Sequence, residues 1–389
     1  MRRLSVCHLI TQLELGGAQR NTLYTLAHLD RARFEPSLIS GTAGVLDGEA
    51  SALGIPFLSI PELIRPIAPA RDAGALFQLT RALQRLGPDI VHTHSSKAGV
   101  LGRVAAALAR VPIVIHSVHG WGFHPGQNRL KRGLFVALEK LAAPLTTQFI
   151  AVSEANRSTG DAYGIAPAPR FEVIYSGVEL EKFRRAADSG QLRRELQIDP
   201  DTPLVGMIAC LKPQKSPIDF VKLAARVAGE VPRARFVLAG DGELRGEVEA
   251  EVRQQNLASQ FHLLGWRNDP ETIVGDLDVL VLTSRHEGLP RVCPEAMAAG
   301  KPIVATAVDG TPEAVADGIN GFVHPFGAVE ALAQSVVTLL RDPELRRQFG
   351  QAGRRRSIAW DIDEMVRAQE RLYLELAAEP VIRPLRIAH

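Results

Sequence analysis

Short apolar runs alternate with helical stretches along this chain, and they do so in two series. The first series comprises Leu4–Ile10 and the runs 36–39, 89–92, 112–117, 147–152 and 171–175, with helical stretches at 18–29, 73–86, 97–109 and 129–141 between them. The second comprises 204–210, 235–239, 261–263, 279–282 and 303–306. Alternation of this kind predicts parallel strands, because a parallel pair needs a crossover and a helix supplies it, covering the sheet on both faces. At 389 residues the chain exceeds the size at which one core keeps growing. The reading is α/β, with two Rossmann-like doubly wound domains, 1–180 and 203–360, joined by a charge-rich linker over 181–202. Ligands of such sheets bind beyond the carboxyl ends of the strands, so a cleft between the domains is the expected site. A last helix, about 362–378, follows Trp360, and the tail 379–389 is expected to be loose.

Composition narrows the class. Apolar residues make up 46% and charged residues 23%, which suits a globular protein and excludes a disordered one. Cys7, Cys210 and Cys293 form no close pair and lie at no zinc-ligand spacing, so a reduced, cytoplasmic setting is expected. The apolar run after Arg2-Arg3 is short and leads into Gln12 and Glu14, which reads as a first strand and not as a signal peptide. No apolar stretch reaches 18 residues, so no membrane-spanning helix is expected. Charge is uneven: residues 1–194 hold 23 Lys and Arg against 15 Asp and Glu, and the remainder 22 against 28. A basic first half suits peripheral contact with an anionic membrane or a phosphorylated acceptor; plain surface solvation explains it as well.

One turn gathers more chemistry than any other. Arg285-His-Glu-Gly-Leu-Pro-Arg-Val-Cys-Pro-Glu-Ala-Met-Ala-Ala-Gly-Lys-Pro302 follows the run 277–282 and opens a short Ala-rich helix ended by Gly300 and Pro302. Glu287 stands beside Gly288 where a strand ends, and Glu295 falls in the first helical turn, where an acid also simply offsets the helix dipole. Amides of Leu289, Arg291 and Val292 can face an anion there, whereas Pro290 has none to offer. This segment resembles the Glu-x7-Glu motif of retaining glycosyltransferases of family 4, which have the GT-B fold, and the resemblance runs from Gly16-Gly17 to about Arg356. It implies that Glu287 contacts donor-sugar hydroxyls, that Glu295 holds the nucleotide ribose, and that the terminal helix crosses back to the first domain.

Other positions take their meaning beside that motif. Gly16-Gly17, before the first helix, allows close approach of a ligand to the backbone, though a plain tight turn explains it too. In Val91-His-Thr-His-Ser-Ser-Lys97, Ser95 or Ser96 is expected to cap a helix, with His94 and Lys97 as candidates for acceptor contact. His116, His119 and His124 crowd one loop; the resemblance places the sugar-contacting histidine at His119. It also implies a diphosphate grip by an Arg and a Lys in the loop 208–216. Lys215 matches the Lys, but Cys210 occupies the Arg position, which leaves Lys212 as a substitute point charge. Gly265, Trp266 and Arg267 fall where the family holds the base. Asp276-Leu-Asp278 has the letters of a metal motif, but Asp278 opens a buried strand and Asp276 caps its turn, so no metal or other cofactor is expected.

The resulting expectation is a metal-independent, retaining hexosyltransferase. It would use a nucleoside diphosphate sugar, UDP first, and a glycan or lipid-linked acceptor in cell-surface polysaccharide, lipopolysaccharide or glycolipid biosynthesis. Glu287, His119 and Lys215 carry the chemistry; Gly288 joins the other positions named as substrate contacts. Nucleic acid is not an expected partner. A nucleotide-sugar 2-epimerase of the same fold and a non-catalytic carbohydrate-binding protein are the alternatives.

Overall fold

In the computed structural model, which describes residues 2–124 and 126–378, the chain divides into two compact units. One is Met1–Gly177 with Ile362–His389, the other Val178–Asp361. The tail 379–389 lies outside the described residues.

The first unit holds a seven-stranded parallel sheet: β1 (Leu4–Ile10), β2 (Phe34–Ser40), β3 (Phe57–Ser59), β4 (Ile90–His94), β5 (Ile113–Val118), β6 (Gln148–Ala151) and β7 (Phe171–Val173), in the order β3-β2-β1-β4-β5-β6-β7. Its central strands are buried along their whole length in β4 and β5, as strands covered on both faces must be. Helix Pro69–Leu86 begins on a proline and stops at Gly87 in the left-handed region. Helix Ile362–Ala378 belongs to this unit, packing Met365, Val366, Leu372 and Tyr373 with Val6, Ile90 and Ile115. The return of the terminal helix is thus a property of the first core.

The second unit holds six parallel strands: β8 (Leu204–Ile208), β9 (Arg235–Ala239), β10 (Phe261–Gly265), β11 (Val279–Leu282), β12 (Ile303–Thr306) and β13 (Gly321–His324), in the order β10-β9-β8-β11-β12-β13. Its core is built on Phe220, Phe236, Val279 and Val336.

Two differences from the sequence reading stand out. The edge strands β3 and β13 were not expected; at three and four residues they are too short to show a pattern. The linker stretch 181–202 carries structure that the charge-rich sequence did not announce. It contains helices Leu180–Ala186 and Gln191–Glu195, and buried Asp276 fastens it by accepting from the amides of Gly190 (2.7 Å) and Leu192 (2.7 Å). A charge-rich composition hid the anchor, which comes from an acid more than 80 positions away.

Candidate functional site

Strand order in the second unit runs outward from β8 in one direction and from β11 in the other, so the gap between these neighbours is the topological switch point. The loops that leave both strands are stitched together there. Thr283 Oγ1 donates to the Ser216 carbonyl (2.9 Å), Gln214 Nε2 to that of His286 (3.0 Å), and the Arg285 amide to that of Gln214 (2.8 Å). The stitching brings Lys215 Nζ to 2.5 Å from Glu287 Oε1, which also accepts from Ser284 Oγ (2.6 Å). The Glu287 amide in turn donates to Asp309 Oδ2 (2.6 Å).

Glu287 is 8% exposed and the Lys215 side chain about one-fifth exposed, so water screens the pair weakly. Burial pulls the Lys215 pKa down, but the adjoining carboxylate outweighs it and the net direction is upward. The ammonium therefore stays charged through the physiological range.

Gly288 and Leu289 are buried in the turn beyond, with Arg291 as the N-cap of helix Val292–Ala299. Within that first turn the Cys293 amide is already spent on the Pro290 carbonyl (3.0 Å). Glu295 lies 3.8 Å from Arg291, and burial raises its pKa more than Arg291 lowers it. Lys212 is exposed at the N-cap of the short turn Pro213–Lys215, and Cys210 is a free, half-buried thiol.

Gly265 ends β10 with φ +66°, where the ladder to β9 shifts register. The neighbouring Arg267 is held by Asp269 (2.8 Å) and Glu195 (2.5 Å), which raise its pKa. Its guanidinium is engaged by protein carboxylates, while Trp266 beside it is exposed. Asp278 accepts from Arg193 (2.9 Å) and the Leu204 amide (2.8 Å). Both acids of Asp276-Leu-Asp278 are thus consumed in holding the segment after residue 188.

The first unit has its own switch point, between β1 and β4. Gly16 is the extended N-cap of helix Gly17–His28 after β1. Ser95, after β4, has φ +64° and serves as N-cap without capping by its side chain; its hydroxyl meets that of Thr11 (2.7 Å), and Thr11 Oγ1 accepts from the Ala98 amide (3.1 Å). The cap expected from Ser95 or Ser96 is supplied across the switch point by β1's loop. Lys97 is paired with Asp72 (2.5 Å).

His94 is buried in a chain of histidines. Parallel register sets His8 beside His92, and His94 two residues on points to the same face. Ser117 Oγ meets His92 Nε2 (2.7 Å), His92 Nδ1 meets Tyr373 OH (2.6 Å), and Tyr373 OH meets His8 Nε2 (3.2 Å). The line continues from His8 Nδ1 to His94 Nε2 (3.0 Å) and from His94 Nδ1 to His119 Nε2 (3.0 Å). Burial pushes the His8 pKa down to about 3 and those of His92 and His94 well below the usual range. Each neutral imidazole carries one N–H, so His92, His8 and His94 each donate on one side and accept on the other, whereas the Tyr373 hydroxyl, which also reaches Gln369 Oε1 (3.4 Å), can donate there and accept from both His92 and His8. The ring nitrogen of His119 that carries a proton is therefore set by groups as remote as Tyr373.

His8, His92 and His94 also offer three ring nitrogens within 4.8 Å of one another, a set able to hold a metal ion. A metal would have to displace the bonds just described. A small pocket beside the chain has room for about one water. His94, His119, Ser117 and Asn21 line it, and the buried Asn21 amide has no protein partner on either atom. His116 sits elsewhere, bonded to Thr93 (2.9 Å) beneath Gly99, where a Cβ would come within 2.4 Å of the ring.

The structure thus brings Lys215 to Glu287 and His94 to His119, and sets beside them Ser284, Asp309, His8, His92 and Tyr373, which the sequence did not single out. The available signal for the histidines was polarity at every second position of otherwise apolar strands.

Comparisons with known proteins agree with this architecture. Residues 15–182 match the model of Glycosyltransferase Family 4 and residues 188–356 that of Glycosyl transferases group 1. The chain is 32% identical over 347 residues to the UDP-Gal:alpha-D-GlcNAc-diphosphoundecaprenol alpha-1,3-galactosyltransferase of Escherichia coli, covering 88% of this chain and 89% of that protein. It is 27% identical to the N,N'-diacetylbacillosaminyl-diphospho-undecaprenol alpha-1,3-N-acetylgalactosaminyltransferase of Campylobacter jejuni, over 76% of this chain and 80% of the relative. Among solved structures, HepE of Anabaena in complex with UDP and glucose superposes with a TM-score of 0.84 at 21% identity, over 96% of this chain and 100% of that one. Sucrose-phosphate synthase of Thermosynechococcus elongatus gives 0.81 at 20%, over 97% and 100%. The fold is GT-B.

Proposed function

The chain belongs to glycosyltransferase family 4, and on that premise we propose that it moves a hexose from a UDP-sugar to a hydroxyl of a lipid-linked glycan, with retention and without a metal. The observation that carries this reading is the Lys215–Glu287 pair at the switch point between β8 and β11. Departure of a nucleoside diphosphate builds negative charge on phosphate oxygen, and a fixed cation lowers that barrier without reorganising. Lys215 is such a cation, with exposed Lys212 a second. Glu287 Oε1 holds Lys215 and leaves Oε2 to accept from a sugar hydroxyl; Glu295 is assigned to the ribose, and Gly265 with Trp266 to the base.

Retention is assigned to same-face attack. The acceptor oxygen bonds to C1 as the C1–O bond to the diphosphate breaks; the bonding pair goes to the leaving phosphate oxygen, which takes the acceptor's proton. In the first unit His119 is assigned to a sugar hydroxyl and Gly16-Gly17 to close backbone approach. UDP and a diphospholipid acceptor are favoured because they appear in the names of the E. coli relative and, for UDP, in the HepE complex. Three free cysteines favour the cytoplasmic side of the membrane for this work.

The test is transfer from UDP-galactose, UDP-glucose and UDP-N-acetylglucosamine to a diphospholipid-linked N-acetylglucosamine in EDTA, with the product anomer read by NMR. An α product is expected. A β product overturns retention, loss of turnover in EDTA overturns metal independence, and an epimer formed from donor alone identifies the 2-epimerase. Unchanged biological activity in Glu287→Ala would show a non-catalytic binder.

A further inference from the structure

The geometry points to helix Arg129–Ala142 as a membrane-docking face that lies flat on an anionic bilayer. Leu130 is 86% exposed, Leu134 48% and Leu141 75%. At about 100° per residue, Leu130, Leu134, Ala137 and Leu141 fall within an arc of roughly 60°, a single apolar stripe about 16 Å long turned to solvent. Helices of globular proteins turn such a stripe inward.

The charges are arranged around it. Arg129 and Lys140 fall about 80–100° to one side of the stripe, and Lys131 about 100° to the other. All three are exposed. The helix's one acid, Glu139, projects to the opposite face, where it is buried against Arg103 at 2.5 Å. Exposed leucines flanked by Arg129 and Lys140 on one side and Lys131 on the other, with no exposed acid on the helix, have the chemistry of an interfacial helix: side chains enter the headgroup boundary while long basic stems reach anionic lipid. A second protein would also cover leucines, but it would not call for cations on both sides of the stripe and no exposed acid on the helix. Among the described residues no helix is long and apolar enough to cross a membrane.

The purpose of this face rests on the lipid-linked acceptor proposed above, but its test does not. The full chain is sedimented with vesicles of phosphatidylglycerol and phosphatidylethanolamine, and with phosphatidylcholine alone. Binding is expected to the first, to weaken in high salt, and to be poor to the second. The triple substitution Leu130→Gln, Leu134→Gln, Leu141→Gln is expected to weaken binding at least tenfold, and Lys131→Glu with Lys140→Glu by about tenfold or more. Neither set touches the assigned site, so turnover of a water-soluble acceptor should stay unchanged and reports that the variants fold.

Equal binding by wild type and triple variant overturns the proposal, as does no binding by wild type. Self-association lost in the triple variant would identify a second copy as the occupant and equally overturn it. Vesicle binding without sugar transfer would sink the functional reading and leave this one standing; transfer without vesicle binding would do the reverse.

Discussion

The two units solve the same problem with opposite electrostatics. At the switch point of the first, His92, Tyr373, His8 and His94 form a buried line whose members burial keeps neutral, with Ser117 at one end and half-buried His119 at the other. At that of the second, a cation and a carboxylate face each other at 2.5 Å. A neutral line costs little to bury if every member is paired, and it fixes proton positions; a charge pair costs more but offers a field to a phosphate. The difference teaches that one fold, used twice, can seat a neutral hydrogen-bonded line at one switch point and a charge pair at the other; under the proposed function the first orients sugar hydroxyls and the second receives a charged leaving group.

Acid should separate the units most strongly. The pKa values of His8, His92, His94 and His116 are depressed by burial, so their contribution to stability is present above the unfolded value near 6.5 and is lost as pH falls towards the folded values, about 3 for His8. Each histidine that stays neutral costs about 1.4 kcal/mol per pH unit in that window, or about 2 kcal/mol by pH 5. Glu295 works the other way: its raised pKa means the fold gains as pH falls through the folded value towards the unfolded 4.5, and gains nothing further below that. Fluorescence of Trp121, in the first unit, is expected to report unfolding at a higher pH than that of Trp266 and Trp360. A single transition common to all three would break the contrast.

Lys215→Ala should come next, lowering kcat/KM by about 10²–10³ with little change in the acid transition. An effect below fivefold would remove the charge pair from the catalytic account. Tyr373→Phe tests the neutral line. It leaves nitrogens of His8 and His92 buried without their partner, at a cost of about 1–3 kcal/mol in urea unfolding. The same variant should turn the single His119 tautomer into a mixture in ¹⁵N spectra; an unaltered spectrum would show that the line does not act on His119. Lys212→Ala, at an exposed position, is expected to raise the donor KM by no more than about threefold, and less in high salt.

Much of this molecule was legible beforehand because its signals are local. Buried parallel strands such as β1 and β11 announce themselves as apolar runs, and Gly300 closes its helix in the left-handed region, as glycine there suggests. The edge strands and the fastened segment after residue 188 were not legible, since the first are too short for a period and the second depends on a distant carboxylate.

What the sequence by itself determined is the double α/β plan and the residue types at each strand end, because periodicity and glycine conformation act over a few positions. Tertiary structure alone decided the partnerships. Lys215 and Glu287 lie 72 positions apart, and Tyr373 lies 365 from His8. Only the adjacency of β8 with β11, and the packing of the terminal helix over β1 and β4, makes them neighbours. No local pattern encodes such pairs, since the free energy that forms them comes from burying whole strands and helices, not from the paired groups themselves.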